Sequence, residues 1–350
     1  MLRVAAGYWN ALGIEGEILC TGEQLGFYAS SLEDAGFRVH HLPFARSVRF
    51  LLSIYRFFRG HRFDSVHIHT ERGSFWYAGF AYLTGHRSMV RSLHNIFPFR
   101  GPLRARRYAQ RLIMRRVFGV RMAAVSQSVK CVEKGTFHNS SLVIPNWFDS
   151  NWYRPAKPHE RQAARTIFAI DPSALVISSV GNCSQVKNHS AVLLAIASVP
   201  RSLNILYLHA GEECDDPTEW ALAAKLGIAG RVRFLGPVLE ARAVLHASDV
   251  FVMPSLREGL GVAAIEAMGA GVPVVLSDVD GLRDLRGLSP AIHWIEPNAR
   301  GVEAAILHFH AMGALKREEA GEELSGAAHR NFGIANGAAQ YAALYRGEKP

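Results

Sequence analysis

The second half of the chain alternates short apolar runs with helical patterns, and this alternation restricts the fold more than any other feature. Strand-like runs cover residues 174–181, 204–211, 231–236, 249–255, 273–278 and 291–297. Helical patterns lie between them, over residues 188–199, 217–230, 241–248 and 261–271. Buried strands that alternate with helices form parallel sheets covered on both faces, and ligands bind beyond the carboxyl ends of those strands. We therefore predict an open α/β domain in this half.

The first half repeats the pattern more loosely. Strand-like runs cover residues 16–22, 37–44, 65–71, 88–95 and 122–128. A chain of 350 residues is too long for one comfortable core. The proline-containing segment 141–158 is predicted to be the passage between domains. We expect two similar open sheets, in an N-terminal domain over residues 1–150 and a C-terminal domain over residues 151–350, with a deep cleft between them.

The positive charge of the chain is confined to its first half. Residues 1–150 hold 20 Lys and Arg against 9 Asp and Glu, a net charge of +11, whereas residues 151–350 carry −2. This asymmetry predicts an anionic partner for the first half: phospholipid, a pyrophosphate-bearing acceptor or nucleic acid. Nucleic acid is excluded as a partner because no binding module for it is recognisable.

Cysteine use and hydropathy indicate the compartment. Cys20, Cys131, Cys183 and Cys214 are far apart and form no CxxC pair. They are predicted to be reduced structural thiols of a cytoplasmic protein, not a zinc site or a disulfide framework. No apolar run approaches the length of a membrane span, and the first residues do not have the pattern of a secretory signal.

The stretch EGLGVAAIE, residues 258–266, places two carboxylates around two glycines after a predicted strand. Gly259 and Gly261 let backbone amides approach a ligand closely, and the helix that follows offers free N–H groups and a positive dipole end to a phosphate. Glu258 projects from the strand end, and Glu266 is placed to accept hydrogen bonds from ribose hydroxyls. The alternative is an acidic helix start that caps itself, with the glycines serving a turn.

The block SDVFVMPSLREGLGVAAIEAMGAGVPVVLSD, residues 248–278, resembles the signature region of retaining glycosyltransferases of family 4, the glycosyl transferases group 1 family. Other stretches resemble the family in order and spacing: FDSVHIHT, VIPNWFDSNWYRP, SVGNCSQVKNHSAVLLAIA and LHAGEECDDPTEWALAAKLGIAGRVRFLGPV. The resemblance covers roughly residues 14–345. It implies the GT-B fold, in which two Rossmann-like domains face each other and the second holds most of a nucleotide-sugar donor. The last helix is then a candidate to pack back on the N-terminal domain.

The resemblance also implies roles for individual residues. Glu258 would contact hydroxyls of the transferred sugar, and Lys187 would neutralise the donor diphosphate as it leaves, which a fixed cation can do without a metal. The candidate catalytic residues are Glu258, His94 and Lys187. The candidate donor-binding residues are Gly181, Asn182, Gly259, Leu260, Gly261 and Glu266. No cofactor or metal is expected, because the UDP- or GDP-linked sugar is itself a substrate.

The sequence departs from the family pattern in two places. Asn182 stands where the family usually has an arginine, so the diphosphate site loses one charge unless Arg257 or another cation replaces it. The opening residues MLRVAAGYWNALG resemble the family's first helix, so its first strand and glycine-rich loop are expected to be missing. Either the natural start lies upstream, or the chain lost part of its cleft and is impaired.

Three histidines and a DxD pattern complete the candidates. His94 follows a predicted strand and aligns with a histidine at the family's cleft, where it would contact the donor sugar or position the acceptor; the alternative is a structural, half-buried histidine. His67 and His69 alternate on one strand and are expected to pack at the sheet end rather than bind a ligand. The segment Asp278–Asp280 resembles a metal-binding DxD motif of another glycosyltransferase fold, and we discount it because the family does not usually need a metal there.

Two basic stretches, residues 45–62 and 99–116, mix arginines with apolar residues. Such helices lie on anionic lipid, with arginine at the headgroups, or else bury their apolar faces in the core. We favour membrane contact and predict a cytoplasmic protein, peripheral on the inner face of the cytoplasmic membrane.

The predicted function is sugar transfer, with retention, from a nucleotide-sugar to a saccharide or lipid-linked acceptor in capsule, exopolysaccharide or cell-envelope glycan assembly. The alternatives are a nucleotide-sugar epimerase or phosphorylase on the same fold, and a catalytically impaired scaffold.

Overall fold

The structure is a computed structural model that describes residues 1–26, 28–212 and 218–348. Cys214 and Pro217, which the sequence analysis placed as a thiol and as the start of a helix, lie outside the described residues. The chain divides into two compact units: the first contains Met1–Trp147 and the chain from Ile334 onward, and the second contains Phe148–Gly333. This division lies three residues before the domain boundary expected from the sequence.

The first unit contains helices and parallel strands in alternation. Its helices are α1 (Leu2–Ala11), α2 (Ala29–Asp34), α3 (Val48–Gly60), α4 (Ser74–Leu83), α5 (Gly101–Arg116) and α6 (Gln127–Phe137). Its strands are β1 (Glu17–Cys20), β2 (Arg38–His41), β3 (Val66–Ile68), β4 (Met89–Leu93), β5 (Arg121–Ala124) and β6 (Leu142–Val143).

These strands form two sheets and not the single open sheet expected from the sequence. One sheet pairs β1 with β2, and the other has the order β3-β4-β5-β6; every pairing is parallel. Within the described residues, no ladder joins β1 to β3. The expectation failed because an apolar run indicates that a strand is buried and does not indicate which strand it pairs with.

Helix α3 shows how the sequence specifies an element of this unit. Ser47 is its N-cap, and its hydroxyl accepts a hydrogen bond of 3.2 Å from the backbone N–H of Phe50. Phe50, Ile54 and Phe58 recur every four residues and are buried, so one face of the helix packs into the unit. Replacing Ser47 by alanine would remove the cap, at a cost of about 1 kcal/mol.

The second unit has one sheet of six strands. Its helices are α7 (Pro158–Ile167), α8 (Ser190–Ser198), α9 (Thr218–Lys225), α10 (Arg242–Ala247), α11 (Val262–Gly269), α12 (Ala299–Met312) and α13 (Ala314–Phe332). Its strands are β7 (Leu175–Val180), β8 (Ile205–Ala210), β9 (Val232–Phe234), β10 (Val250–Met253), β11 (Val274–Ser277) and β12 (His293–Ile295). Short 3₁₀ turns lie at Ala229–Arg231 and Leu282–Leu285.

The order of these strands determines where a ligand can bind. The sheet runs β12-β11-β10-β7-β8-β9 and is parallel throughout. The chain leaves β7 toward β8 and β9 on one side and returns to β10 on the other, so the order reverses between β7 and β10. In open α/β sheets this reversal opens a crevice at the carboxyl ends of the two strands. The loops after β7 and β10 are therefore the natural ligand-binding loops of this unit.

The core of the second unit follows from its strand sequences. Strand β7 reads LVISSV and β8 reads ILYLHA, and nearly all of these residues are buried, as expected for strands covered on both faces. The side chains of Val192, Leu193 and Ile196 in helix α8 are fully buried, and this helix packs against α12. Burial of each such side chain contributes on the order of 1.5–3 kcal/mol.

The final helix, α14 (Ile334–Tyr345), belongs to the first unit. The indole N–H of Trp9 donates a hydrogen bond of 3.0 Å to the carbonyl oxygen of Ala338. A Cβ at Gly337 would lie 2.2 Å from the ring of Trp147, so only glycine fits at this contact. The helix therefore closes the core of the first unit against α1. Among the described residues, no helix combines the length and apolarity needed to cross a bilayer.

Candidate active site

Two of the predicted catalytic side chains meet in the second unit, at the reversal between β7 and β10. Lys187 lies in the loop after β7, and Glu258 lies in the loop after β10. The Nζ of Lys187 is 2.8 Å from the Oε1 of Glu258, although the two residues are 71 positions apart in sequence. The Glu258 side chain is 8% exposed and that of Lys187 is 29% exposed. The pair therefore places one buried carboxylate and one partly accessible cation at the carboxyl edge of the sheet.

Ser255 fixes the carboxylate of this pair. Its hydroxyl is buried and donates a hydrogen bond of 2.7 Å to the same Oε1 of Glu258. Glu258 thus receives a charged donor and a neutral donor at one oxygen, which leaves its second oxygen available to a ligand. Ser255 was not among the residues predicted from the sequence. Its position, three residues before Glu258 in the loop after β10, was the available signal.

The predicted glycines shape the backbone beside Glu258. Gly261 is the N-cap of α11 and has φ +80°, a left-handed conformation that other residues rarely adopt. A Cβ at Gly281, in the loop after β11, would lie 2.1 Å from the carbonyl oxygen of Glu258, so the two loops touch through backbone. The N–H of Ala264 already donates to the carbonyl oxygen of Gly261 at 3.0 Å. Among the described residues, the first-turn amides that can still bind an anion are those of Val262 and Ala263.

The remaining donor-site candidates flank this point. Gly259 and Leu260 are buried in the turn that leads into α11. Glu266 lies in the second turn of that helix, and burial raises the pKa of its carboxyl to about 7. Gly181 directly follows β7, and a Cβ there would lie 3.5 Å from the Cε of Lys187. The structure thus brings these positions to the same edge of one sheet.

The side-chain amide of Asn182 is held by contacts with Glu212. Its Oδ1 accepts a hydrogen bond of 3.2 Å from the backbone N–H of Glu212, and its Nδ2 lies 3.5 Å from the Glu212 carboxylate. Its amide therefore joins the loop after β7 to the loop after β8. Arg257, the cation proposed to compensate for the missing arginine, is exposed beside Glu258.

The DxD pattern of Asp278–Asp280 is occupied by arginine side chains. Arg283 contacts Asp278 at 2.6 Å and Asp280 at 3.2 Å, and Arg286 contacts Asp278 at 2.6 Å. The hydrogen bond from Arg283 lowers the pKa of Asp278. These contacts give the two carboxylates a structural role in the loop after β11.

His94 lies in the first unit, at the end of β4. It lines a cavity of about 370 Å³ together with His69, Thr70, Glu71, Ser92, Leu93, Asn95 and Phe97. The Nε2 of His94 is 3.0 Å from the Nδ1 of His69. Burial and the charge of Arg91 lower the pKa of His94 to about 4, and burial and the charge of His94 lower that of His69 to about 3. Both imidazoles are therefore neutral at pH 7, and each offers a hydrogen bond to a ligand.

His67 and His69 behave differently although they alternate on the same strand. His67 bonds the hydroxyl of Tyr345 at 2.7 Å and that of Ser92 at 2.7 Å, so it packs in the core as expected. His69 instead lines the cavity beside His94. His69 directly follows Ile68, the last residue of β3, so it lies at the sheet end as expected, and its ring also lines the cavity.

Glu71, which lines this cavity, belongs to a network of ion pairs. Glu71 is paired with Arg91, Arg107 and Arg111, and Arg111 also binds Glu133 through two nitrogens. The Arg91 side chain is 1% exposed. Removing one partner of such a network leaves an uncompensated buried charge, which is strongly destabilising. Two arginines that the sequence analysis assigned to a basic surface, Arg107 and Arg111, are therefore structural.

Comparison with known proteins identifies the family. Residues 160–306 match the family model of glycosyl transferases group 1, and residues 2–147 match that of a glycosyl transferase 4-like domain. A putative glycosyltransferase EpsF from Bacillus subtilis is 30% identical over 308 residues, which span 82% of this chain and 76% of that protein. A D-inositol 3-phosphate glycosyltransferase from Mycobacterium marinum is 34% identical over 177 residues, 47% of this chain and only 38% of that protein.

Solved structures agree in fold at low sequence identity. A glycosyltransferase from Rickettsia africae superposes with a TM-score of 0.83 at 16% identity, covering 99% of this chain and 93% of that one. Anabaena Alr3699/HepE in complex with UDP and glucose gives a TM-score of 0.82 at 18% identity, covering 99% and 94%. WaaG, a glycosyltransferase involved in lipopolysaccharide biosynthesis, gives 0.77 at 16% identity, covering 99% and 95%. The chain therefore belongs to the glycosyl transferases group 1 family and has the GT-B fold.

Proposed function

We propose that this protein transfers a sugar, with retention of anomeric configuration, from a UDP- or GDP-linked donor to a hydroxyl of a saccharide or lipid-linked acceptor. One observation carries the proposal: Lys187 and Glu258 form a pair at 2.8 Å beside the N-terminus of α11. A cation and a helix N-terminus bind a diphosphate, and the adjacent carboxylate accepts hydrogen bonds from sugar hydroxyls. A nucleotide-sugar has a diphosphate bonded directly to a sugar, so it presents the diphosphate and the sugar hydroxyls next to each other.

The reaction follows from this arrangement. The bond between the anomeric carbon and the phosphate oxygen breaks, and a bond from that carbon to the acceptor oxygen forms. The departing phosphate takes the proton of the acceptor hydroxyl, so no separate base is required. Lys187 and the first-turn amides of α11 stabilise the negative charge that develops on the leaving diphosphate. The products are a glycoside and a nucleoside diphosphate.

We propose that the donor is bound without a metal bridge. The charge of the diphosphate is met by Lys187 and by backbone amides, and the carboxylates of Asp278 and Asp280 are already paired with Arg283. Glu266, in the second turn of α11, accepts hydrogen bonds from the ribose hydroxyls.

The acceptor is assigned to the cavity of the first unit. His94 and His69 are neutral and stacked at 5.3 Å, which suits hydrogen bonding to hydroxyls rather than to anions. Asn95 and Thr70 add polar side chains to the same wall. A saccharide, with many hydroxyls and no charge, matches this lining.

Helix α5 is proposed to rest on anionic lipid at the cytoplasmic face of the membrane. It exposes Leu103, Tyr108, Leu112 and Ile113 together with several arginines. Exposed apolar side chains flanked by arginine are typical of helices that lie in the headgroup region. A lipid-linked acceptor would be reached from that position. The name of the related WaaG, which places it in lipopolysaccharide biosynthesis, supports a role in capsule, exopolysaccharide or cell-envelope glycan assembly.

A binding scaffold without turnover is the second candidate. Asn182, where the family usually has arginine, is held by Glu212 and supplies no charge to a diphosphate. Such a protein would still bind a nucleotide-sugar through Lys187.

A thermal-shift screen against UDP- and GDP-linked sugars tests the proposal. One donor should raise the melting temperature, and incubation of that donor with saccharide acceptors should yield a product with unchanged anomeric configuration by NMR. An inverted product would refute the retaining mechanism, and a changed donor without acceptor would identify an epimerase. Stabilisation by a donor without any product would favour the scaffold.

A further inference from the structure

We propose that Cys183, His189, His209 and Glu219 form a structural zinc site in the second unit, below the loop that carries Lys187. Each residue offers one ligand atom, and the four atoms lie within 4.8 Å of one another. We refer to these residues as the four-residue cluster. They come from four parts of the fold: the loop after β7, the start of α8, strand β8 and helix α9.

Two separations between donor atoms match those around a tetrahedral zinc ion. With zinc bonds of about 2.3 Å to sulfur and about 2.0–2.2 Å to nitrogen and oxygen, neighbouring ligand atoms lie about 3.2–3.6 Å apart. The Sγ of Cys183 is 3.4 Å from the Nε2 of His209, and the Nδ1 of His189 is 3.5 Å from the Oε1 of Glu219. The Sγ of Cys183 is closer, 2.7 Å, to the Oε2 of Glu219, where the thiol donates a hydrogen bond.

A buried nitrogen without a well-formed hydrogen bond gives a second indication of a ligand. The His189 side chain is 4% exposed, and its Nδ1 lies 3.5 Å from the Glu219 carboxylate but forms no hydrogen bond of good geometry with any described residue. Buried polar groups are nearly always bonded, and one that points into a ring of other ligands marks a position for an ion. Zinc at this position would bind the lone pair of that nitrogen.

A second layer orients His209. The hydroxyl of Tyr207 is 3.4 Å from the Nδ1 of His209. When Nδ1 carries the ring proton and donates it to this hydroxyl, the lone pair of Nε2 faces Cys183, as metal ligation requires. Tyr207 and His209 are both 0% exposed, so this orientation is fixed by packing.

The chemistry of the donor set favours zinc. A thiolate, two neutral imidazoles and a carboxylate make a borderline-soft tetrahedral set. One thiolate and one carboxylate balance the two charges of Zn²⁺, so the buried site as a whole is neutral. Binding displaces the thiol proton of Cys183 to solvent, which makes the affinity depend on pH.

The position of the cluster suggests its purpose. Cys183 and His189 lie at the two ends of the loop of residues 183–189, and Lys187 lies within it. An ion held by both ends would fix the backbone that presents Lys187. Loss of the ion would therefore loosen the cation and weaken binding of a nucleoside diphosphate; this consequence rests on the proposed function, whereas metal binding does not.

Metal content of the full chain tests the site directly. Protein produced with added zinc and then desalted should contain about one zinc per chain by elemental analysis and by native mass spectrometry. Cys183→Ser should lose the zinc, while Cys131→Ser, which changes an exposed cysteine, should keep it. Less than about a tenth of a zinc per chain in the unaltered protein, or equal content in Cys183→Ser, would overturn the proposal.

Cobalt substitution tests the geometry without any variant. Protein stripped with a chelator and loaded with Co²⁺ should show the intense visible bands of a tetrahedral site and a sulfur-to-cobalt charge-transfer band. A weak octahedral spectrum without the sulfur band would contradict the assignment even if Cys183→Ser fails to fold.

Two measurements separate this inference from the proposed function. Lys187→Ala should lose affinity for UDP or GDP and keep its zinc. Chelator-treated protein should lose the zinc and bind the same nucleotide several-fold more weakly. Zinc without nucleotide binding would refute only the proposed function, and nucleotide binding without zinc would refute only the metal site.

Discussion

The two units use the same alternation of strands and helices but differ in how their sheets are completed. The second unit has one sheet of six strands whose order reverses at the Lys187–Glu258 pair. The first unit divides its strands between two sheets and carries its polar groups in a cavity and a buried arginine network. The second unit thus sets a charged pair beside a glycine-containing turn and a helix N-terminus, whereas the first unit uses side chains alone. Glycines at fixed spacing leave a motif that the sequence shows, whereas scattered side chains do not.

We expect the largest effect from a substitution in the site of the second unit. Glu258→Ala should lower transfer about 10²- to 10³-fold, because the carboxylate that accepts the sugar hydroxyls is lost. Lys187 is partly exposed and can turn to water, so the fold should persist. Initial rates and circular dichroism check this prediction. Glu318→Ala, at an exposed position of α13, is the matched control, and unchanged turnover in Glu258→Ala would reject the assigned role.

Lys187→Ala should weaken the binding of UDP or GDP about 10- to 100-fold, as expected for the loss of a charge-assisted hydrogen bond. Isothermal titration calorimetry measures this change. Lys316→Ala, which removes an exposed lysine of α13, should bind normally. Equal affinity in Lys187→Ala and the unaltered protein would count against a diphosphate site at this position.

His94→Gln tests whether the cavity of the first unit binds the acceptor or the donor. We expect transfer to fall about tenfold, within the range for a single polar contact to substrate, while UDP or GDP affinity stays unchanged. A split between the rate and nucleotide affinity would assign the first unit's cavity to the acceptor. If nucleotide affinity falls in parallel with the rate, His94 serves the donor instead.

Replacing Arg104 and Arg106 of α5 by glutamine should reduce binding to vesicles that contain anionic lipid about tenfold. Sedimentation with vesicles at low and high salt measures this change, and neutral vesicles serve as the control. The matched variant Arg300→Gln, in α12 of the second unit, should bind vesicles as the unaltered protein does. Equal binding by all three proteins would place the membrane contact elsewhere.

The smallest effect concerns pH. Burial raises the pKa of Glu266 to about 7, so its carboxylate predominates above pH 7 and its neutral form below. Because the carboxylate is the better acceptor for ribose hydroxyls, nucleotide affinity should fall about threefold from pH 8 to pH 6. Uridine and guanosine, which lack phosphate groups, avoid the titration of the diphosphate. Glu266→Gln should remove this dependence, and a pH dependence that persists in the variant would assign it to another group.

The sequence predicted the second unit better than the first. The runs 174–181 and 204–211 became β7 and β8 because continuous apolar sequence identifies strands that are buried on both faces. Strand β6 was missed because it has only two residues, Leu142–Val143, within a stretch predicted as the interdomain passage. The split of the first unit into two sheets could not be predicted, since strand pairing depends on contacts distant in sequence.

Contacts between residues distant in sequence were also not predicted at the candidate active site or at the four-residue cluster. Glu258 and Lys187 were predicted individually, but their contact across 71 residues was not. The ligands of the four-residue cluster lie at positions 183, 189, 209 and 219 and share no short motif, so the sequence indicated no metal. Cys183 was predicted to be a reduced structural thiol, because the residues around a cysteine become known only when neighbouring strands and helices are placed together.

The packing of α14 has a consequence for how damage to the gene would act. Trp9 and Trp147 contact Ala338 and Gly337, so the first unit is completed by residues that are translated after the whole second unit. A premature stop codon just after Gly333 would leave the later half whole and strip the earlier half of a wall of its core. The ribosome must therefore translate α14 before the core of the first unit can be complete.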